Sequence, residues 1–281
     1  MDAFKIDIVR DPALSAPARA RLTGLSSVFS ENLIIEILLV SLRVSPVLLF
    51  APPFTLLRIP VLIRVFLALS LGAWLSSASQ FSLDVSSLNQ DFAAAMIISA
   101  AVSELLVGIA ITLTLQIAYS ALLIVGRSVD IQAGFGLALL ADPTLRSQLP
   151  LVGTILAYGF GAVFFSVGGG RELLEIWWRS TEVLEVGSFN GVLPIFPLLE
   201  FLSQSLSLAM GLTAVVILTL FLIDLTVAFL SRTLPQMNAL LLGFQIKTIA
   251  VLSTLPIALA FSLTVYLRLI RGGFSLSEAW F

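Results

Sequence analysis

The sequence predicts an all-α integral membrane protein with about six long hydrophobic helices, several of them kinked or re-entrant. Three observations carry that prediction. Of 281 residues, 58% are hydrophobic and only 11% charged, and the mean hydropathy is +1.07, whereas a soluble domain carries roughly 25% charged residues. Apolar stretches recur along the chain at lengths that suit a membrane, since crossing a ~30 Å hydrocarbon core takes about 20 helical residues. Gly and Pro interrupt several of these stretches, and such breaks are tolerated where neighbouring protein satisfies the freed backbone.

The same composition narrows the chemistry. With 15 basic and 17 acidic residues the net charge is −2, so no basic stripe tracks phosphates and no nucleic-acid partner is expected. There is no Cys and no His, which removes thiolate and imidazole metal sites, His-dependent catalytic triads and a His-based pH sensor. A metal would have only carboxylates and carbonyls, and no D-x-D-x-D-G run is present. Among Ser, Asp and Glu no spaced nucleophile and base pair stands out. We expect no enzyme, no catalytic residue, no metal and no cofactor.

Taken in order, residues 1 to 31 form a polar N-terminal arm with Asp2, Lys5, Asp7, Arg10, Asp11, Arg19 and Arg21, without the apolar run of a cleavable signal peptide. Apolar stretches follow at about 32 to 51, 54 to 75, 92 to 126, 147 to 167, 192 to 230 and 239 to 270. The third would extend over ~50 Å as a helix, and the fifth further still, so both must tilt, project or break. Pro194, Pro197 and the flexible Gly211 are the expected weak points of the fifth. Residues 271 to 281 are a C-terminal tail.

The links sort by charge. Residues 76 to 91 hold Asp84 and Asp91 without a basic residue and read as outside, while 127 to 146 hold Arg127 and Arg146 and read as inside. Alternation then puts 168 to 191 outside, Arg232 inside, and Arg268 and Arg271 outside. That last placement breaks the positive-inside rule. Either one long segment is re-entrant or the helices are not simple spans.

Two series of small residues at four-residue spacing, Gly153, Ala157, Gly161 and Ser203, Ser207, Gly211, lay strips where another backbone can approach. Glu36, Arg43, Arg58, Arg64, Glu104, Asp224 and Lys247 lie in or beside apolar segments, where a charge costs at least ~2.5 kcal/mol unless paired or hydrated. Arg58 and Arg64 are open to a snorkelling reading. Arg43, Glu104, Asp224 and Lys247 are candidates for buried polar or intersubunit contacts, or for an ion path in a transporter.

The strongest local feature is Ile131-Gln-Ala-Gly-Phe-Gly-Leu-Ala-Leu-Leu-Ala-Asp-Pro-Thr144. Leu139 occupies the third glycine position of a dinucleotide fingerprint, and Gly168-Gly169-Gly170-Arg171 lacks the ending of a phosphate loop. Both nucleotide readings fail. What remains is a flexible backbone around a bulky ring, closed by Asp142-Pro143. Such an apolar loop must be buried in protein or line a lumen, which suits a plug or gasket. Its candidate residues are Gly134, Phe135, Gly136, Leu137, Asp142 and Pro143.

These residues carry a resemblance. Arg43-Val-Ser-Pro46 with Ala51-Pro-Pro-Phe54, Arg58-Ile-Pro60 and Arg64, then Gly134-Phe-Gly136 to Asp142-Pro143, then Arg232-Thr-Leu-Pro-Gln-Met-Asn238 with Gly243-Phe-Gln-Ile-Lys247 stand in the order found in the FliR family of flagellar type III export gates. The chain also resembles, more distantly, the SctT proteins of virulence secretion. The resemblance covers residues 32 to 270. It implies tilted helical hairpins in an export-gate domain, FliP-like and FliQ-like partner subunits, an FlhB-like switch protein, unfolded export substrates, membrane lipid around the assembly, and a place in the bacterial inner membrane at the flagellar basal body. It implies that loop 131 to 143 is the channel plug with Phe135 the obstructing ring, and that Arg232, Pro235 and Gln236 form an entrance hairpin. The sequence departs from the pattern at Gly169-Gly170-Arg171, where many relatives show Asn-Gly-His. The alternative is a small-solute or proton-coupled secondary transporter, against which the two halves show no internal repeat.

Overall fold

The structure is a computed structural model that describes residues 31–56, 59–78, 90–135, 150–188, 195–233 and 239–280. Among them the regular structure is all α-helix, with no strand: α1 Glu31–Phe50, α2 Pro52–Leu56, α3 Val61–Ala78, α4 Gln90–Ala133, α5 Leu151–Ser166, α6 Gly169–Val183, α7 Ile195–Thr233 and α8 Ala239–Glu278. The protein is an all-α membrane protein. Among the described residues, four helices are long and apolar enough to cross a membrane, or five if α5 and α6, bent by 69°, count as one span.

The element boundaries differ from the sequence reading in informative places. The stretch 54 to 75 is two helices, because Pro60 cannot continue a helix and disfavours helical backbone at Ile59. The carbonyl of Pro60 instead receives the amides of Ile63 and Arg64 at 3.0 and 3.3 Å, which starts α3. α3 is a shorter apolar helix, below the length of the four spans. The third stretch is overlong as expected and runs past Gly126 to Ala133, so Arg127 and the first three residues of the expected loop are helical. α7 begins at Ile195 and continues unbroken through Gly211. Pro197 lies in its first turn, where a missing amide costs nothing. α8 runs on past Ile270 to Glu278.

The link 168 to 191 contains α6, which the sequence reading missed. Its charges, Arg171, Glu172, Glu175, Arg179 and Glu182, are exposed, while Leu173, Ile176, Trp177 and Ser180 are buried. That is the one-sided pattern of an amphipathic helix. Gly168, at φ +81°, closes α5 through its amide to the Phe165 carbonyl and opens α6 by accepting from Arg171 at 2.8 Å.

The residues fall into two compact units. Among the described residues, one comprises 31–48, 60–78, 90–109 and 177–188. Within it, Gly72 of α3 lies against the backbone of Ser41, and Gly108 of α4 lies against the Arg43 carbonyl and the Pro46 ring; a side chain at either position would part the helices. Pro46 withholds an amide from the carbonyl of Leu42, and the Ser45 hydroxyl donates to that carbonyl at 3.3 Å, so the break within α1 leaves no orphan acceptor.

The other unit comprises, among the described residues, 49–56, 59, 110–135, 150–176, 195–233 and 239–280. α7 and α8 form its hairpin. Aromatic edges knit the remainder: Phe54 meets Phe164 and Phe165 with ring centres 6.4 and 5.8 Å apart, and Phe160 meets Tyr266 at 6.1 Å. Gly153, Ala157 and Gly161 are all buried on α5, and Gly153 abuts Gly126 of α4 backbone to backbone. The second small-residue strip behaves otherwise. Ser203, Ser207 and Gly211 are exposed, and the buried face of α7 is Phe201, Ser205, Ala209, Thr213, Val216 and Leu220.

Candidate functional site

α4 ends through a defined stereochemical stop. Gly134 has φ +83°, its amide donates to Ile131 O at 3.1 Å, and the Phe135 amide donates to Asp130 O at 3.0 Å. This is the Schellman arrangement, in which a glycine in the left-handed region lets two amides return to the last turn. Phe135 is half-buried immediately beyond it. The remaining plug candidates, Gly136, Leu137, Asp142 and Pro143, lie outside the described residues, as do Pro235 and Gln236 of the expected entrance hairpin. Arg232 is exposed in the last turn of α7, where a cation suits the negative end of the helix dipole.

Two charges fix the ends of the connection from α4 to α5. Asp130, 6% exposed, accepts the Val152 amide on Oδ1 at 3.1 Å. The N-terminal residue before α5, Pro150, offers no side-chain cap, so the carboxylate of another helix meets the orphan amides and the positive end of the dipole. Lys247 of α8 donates from Nζ to the Gln132 carbonyl at 3.0 Å and forms an ion pair with Asp224 of α7. The ammonium thus meets the negative end of α4. The last turn of α4 and the first turn of α5 are thus joined through Asp130 and Val152.

The sequence pointed to Lys247 and Asp224 separately, and the structure pairs them. Asp224 is half exposed rather than buried. It borders an open groove of about 760 Å³ whose other walls include Gln132, Met210, Gly211, Leu218 and Phe221. Asp130 was missed, because a carboxylate four residues before a glycine gives no local sign of reaching a helix start 22 residues on.

Arg43 and Glu104 are also brought together, in the first unit. Arg43 Nε and Nη2 donate to the two Glu104 carboxylate oxygens at 2.6 and 2.9 Å. Nη1 donates to Ser180 O at 2.6 Å and Oγ at 3.2 Å, and Nη2 to Leu184 O at 3.3 Å. All five guanidinium donors are used. Glu104 Oε1 further accepts the amide of Gly187 at 2.9 Å, a residue with φ +82°. Both side chains are 0% exposed as residues. Their partners belong to this chain, so the cluster ties α1, α4 and the turn after α6 together and has no donor left for a ligand or a neighbouring subunit. Of the other intramembrane charges, Glu36 is buried and Arg64 half-buried, while Arg58 lies outside the described residues.

Comparison with known proteins supplies the family. The family described as bacterial export proteins, family 1, matches residues 34–273. The chain is similar to the flagellar biosynthetic protein FliR of Aquifex aeolicus (strain VF5), 29% identical over 243 residues, covering 83% of this chain and 90% of that protein. It is 29% identical over 185 residues to FliR of Bacillus subtilis (strain 168), covering 63% and 68%. It is 31% identical over 154 residues to the Yop proteins translocation protein T of Yersinia pestis, covering 52% and 57%. The match runs across every helix from α1 to α8, and the chain belongs to bacterial export proteins, family 1, the FliR family of type III export.

Proposed function

We propose that this protein is a core subunit of a bacterial type III protein export gate. It sits in the inner membrane at the flagellar basal body and assembles with FliP-like and FliQ-like subunits around a channel for unfolded substrates, with an FlhB-like switch protein bound to it. Residues 32 to 270 are the gate domain. Family membership over residues 34–273 is the observation that carries the reading. The FliR of Aquifex aeolicus matches over 83% of this chain, against 52% and 58% for two virulence-type relatives, which favours the flagellar machine.

Such a gate performs no covalent chemistry. An apolar constriction keeps ions out of an idle lumen by excluding water, as hydrophobic gates do in channels. The loop expected over 131 to 143, which begins at Gly134 after the end of α4, is the plug, with Phe135 as the obstructing ring, and Arg232, Pro235 and Gln236 belong to the channel entrance. The anchoring of both ends of the connection, by Asp130 and by Lys247, supports a loop held at a fixed place. The test is deletion of residues 134 to 140 in the assembled complex. Assembly is expected to persist and ion conductance across the membrane to rise; unchanged conductance would overturn the plug.

A further inference from the structure

We propose that Lys247, oriented by Asp224, is the positioning residue that fixes the last turn of α4 and with it the place of Phe135. The proposal rests on the reading of Phe135 as the obstructing ring and adds what holds that ring. An α-helix leaves its final carbonyls without intrahelical partners. At the end of α4 the Schellman turn satisfies Asp130 O and Ile131 O through the amides of Phe135 and Gly134. The next carbonyl, Gln132 O, is the one that Lys247 Nζ takes. The lysine therefore completes the cap that glycine begins.

The placement is specific. The sequence has two lysines, and Lys247 is the one outside the N-terminal arm. It stands within the first two turns of the apolar span Leu241–Glu278, where an unpaired ammonium is unfavourable and a paired one is kept for a use. Its side chain is 18% exposed against 50% for Asp224. Asp224 therefore neutralises the lysine from the open groove while the lysine reaches inward to α4. One ammonium thus joins three helices, α4, α7 and α8, at the turn that carries Phe135. Loss of the positive donor leaves the α7–α8 hairpin intact and frees the end of α4.

The experiment is amide hydrogen exchange, read by mass spectrometry on the assembled complex, together with ion conductance of the same membranes. In the double variant Lys247→Met and Asp224→Asn, which leaves no unpaired charge, exchange at Gly134 and Phe135 is expected to quicken about tenfold while α7 and α8 stay protected. Lys247→Arg keeps a positive donor and is expected to retain protection. Lys247→Gln is the second variant should the double one fail to assemble, with the same quickening expected. Unchanged exchange at Gly134 and Phe135 overturns the proposal whatever the conductance does. Quickened exchange in membranes that remain tight to ions upholds the clamp and refutes Phe135 as the obstruction.

Discussion

Arg43 and Glu104 show how a charge survives in an apolar chain: every donor of the guanidinium and both carboxylate oxygens are engaged. Breaking a buried ion pair from one side leaves an uncompensated charge and costs about 3–5 kcal/mol, whereas replacing both partners by apolar groups is often neutral. Glu104→Gln or Arg43→Met alone is thus expected to lower the thermal stability of the purified complex sharply. Arg43→Met combined with Glu104→Leu should recover most of the loss; equal damage from single and double variants would refute the pairing as the cause. The sequence marked both residues as anomalous because charge is expensive in lipid. It did not mark them as partners, because a separation of 61 residues leaves no periodicity to read. Ser180 and Gly187 left less trace still, since the carbonyl of one and the amide of the other are backbone groups that almost any residue possesses.

At the scale of elements, length and hydrophobicity located every long helix, and local stereochemistry decided where each one ends. Residues 131 to 133 read as loop because they adjoin a glycine pair, yet the helix continues until the positive φ of Gly134 stops it. α6 read as a link because its charges mask the pattern that buries Leu173, Ile176 and Trp177. Its hinge yields a prediction. Gly168 has φ +81° with open space where a Cβ would stand, so substitution there strains only the backbone. Gly168→Val is expected to destabilise the protein by about 1–2 kcal/mol, and Gly168→Asn by less, since Asn tolerates the left-handed region. Equilibrium unfolding of the two variants checks the order; equal losses would point to packing instead.

For the molecule as a whole, composition alone announced a membrane protein, and the family match agrees. The intramembrane charges were open to buried polar contacts, to intersubunit contacts or to an ion path, and Arg43, Glu104 and Lys247 find partners within the chain. Large apolar side chains stay uncovered: Phe221, Leu225 and Phe229 of α7 and Ile249, Leu252 and Phe261 of α8 are exposed, and so is the Ser203, Ser207 and Gly211 strip. Strips of small residues allow close helix approach in membranes. Expressed alone, the chain is expected to be degraded or to aggregate, and with FliP-like and FliQ-like subunits it should co-purify as one complex. A monodisperse monomer that binds a small solute would favour a transporter.

Gly134 has one further consequence, which concerns handedness. There the backbone adopts for a single residue the twist natural to a chain of mirror-image amino acids, and glycine, being achiral, accepts either hand. The point at which the polypeptide departs from the long helix is therefore written in the symmetry of one residue, not in the side chains that come after it.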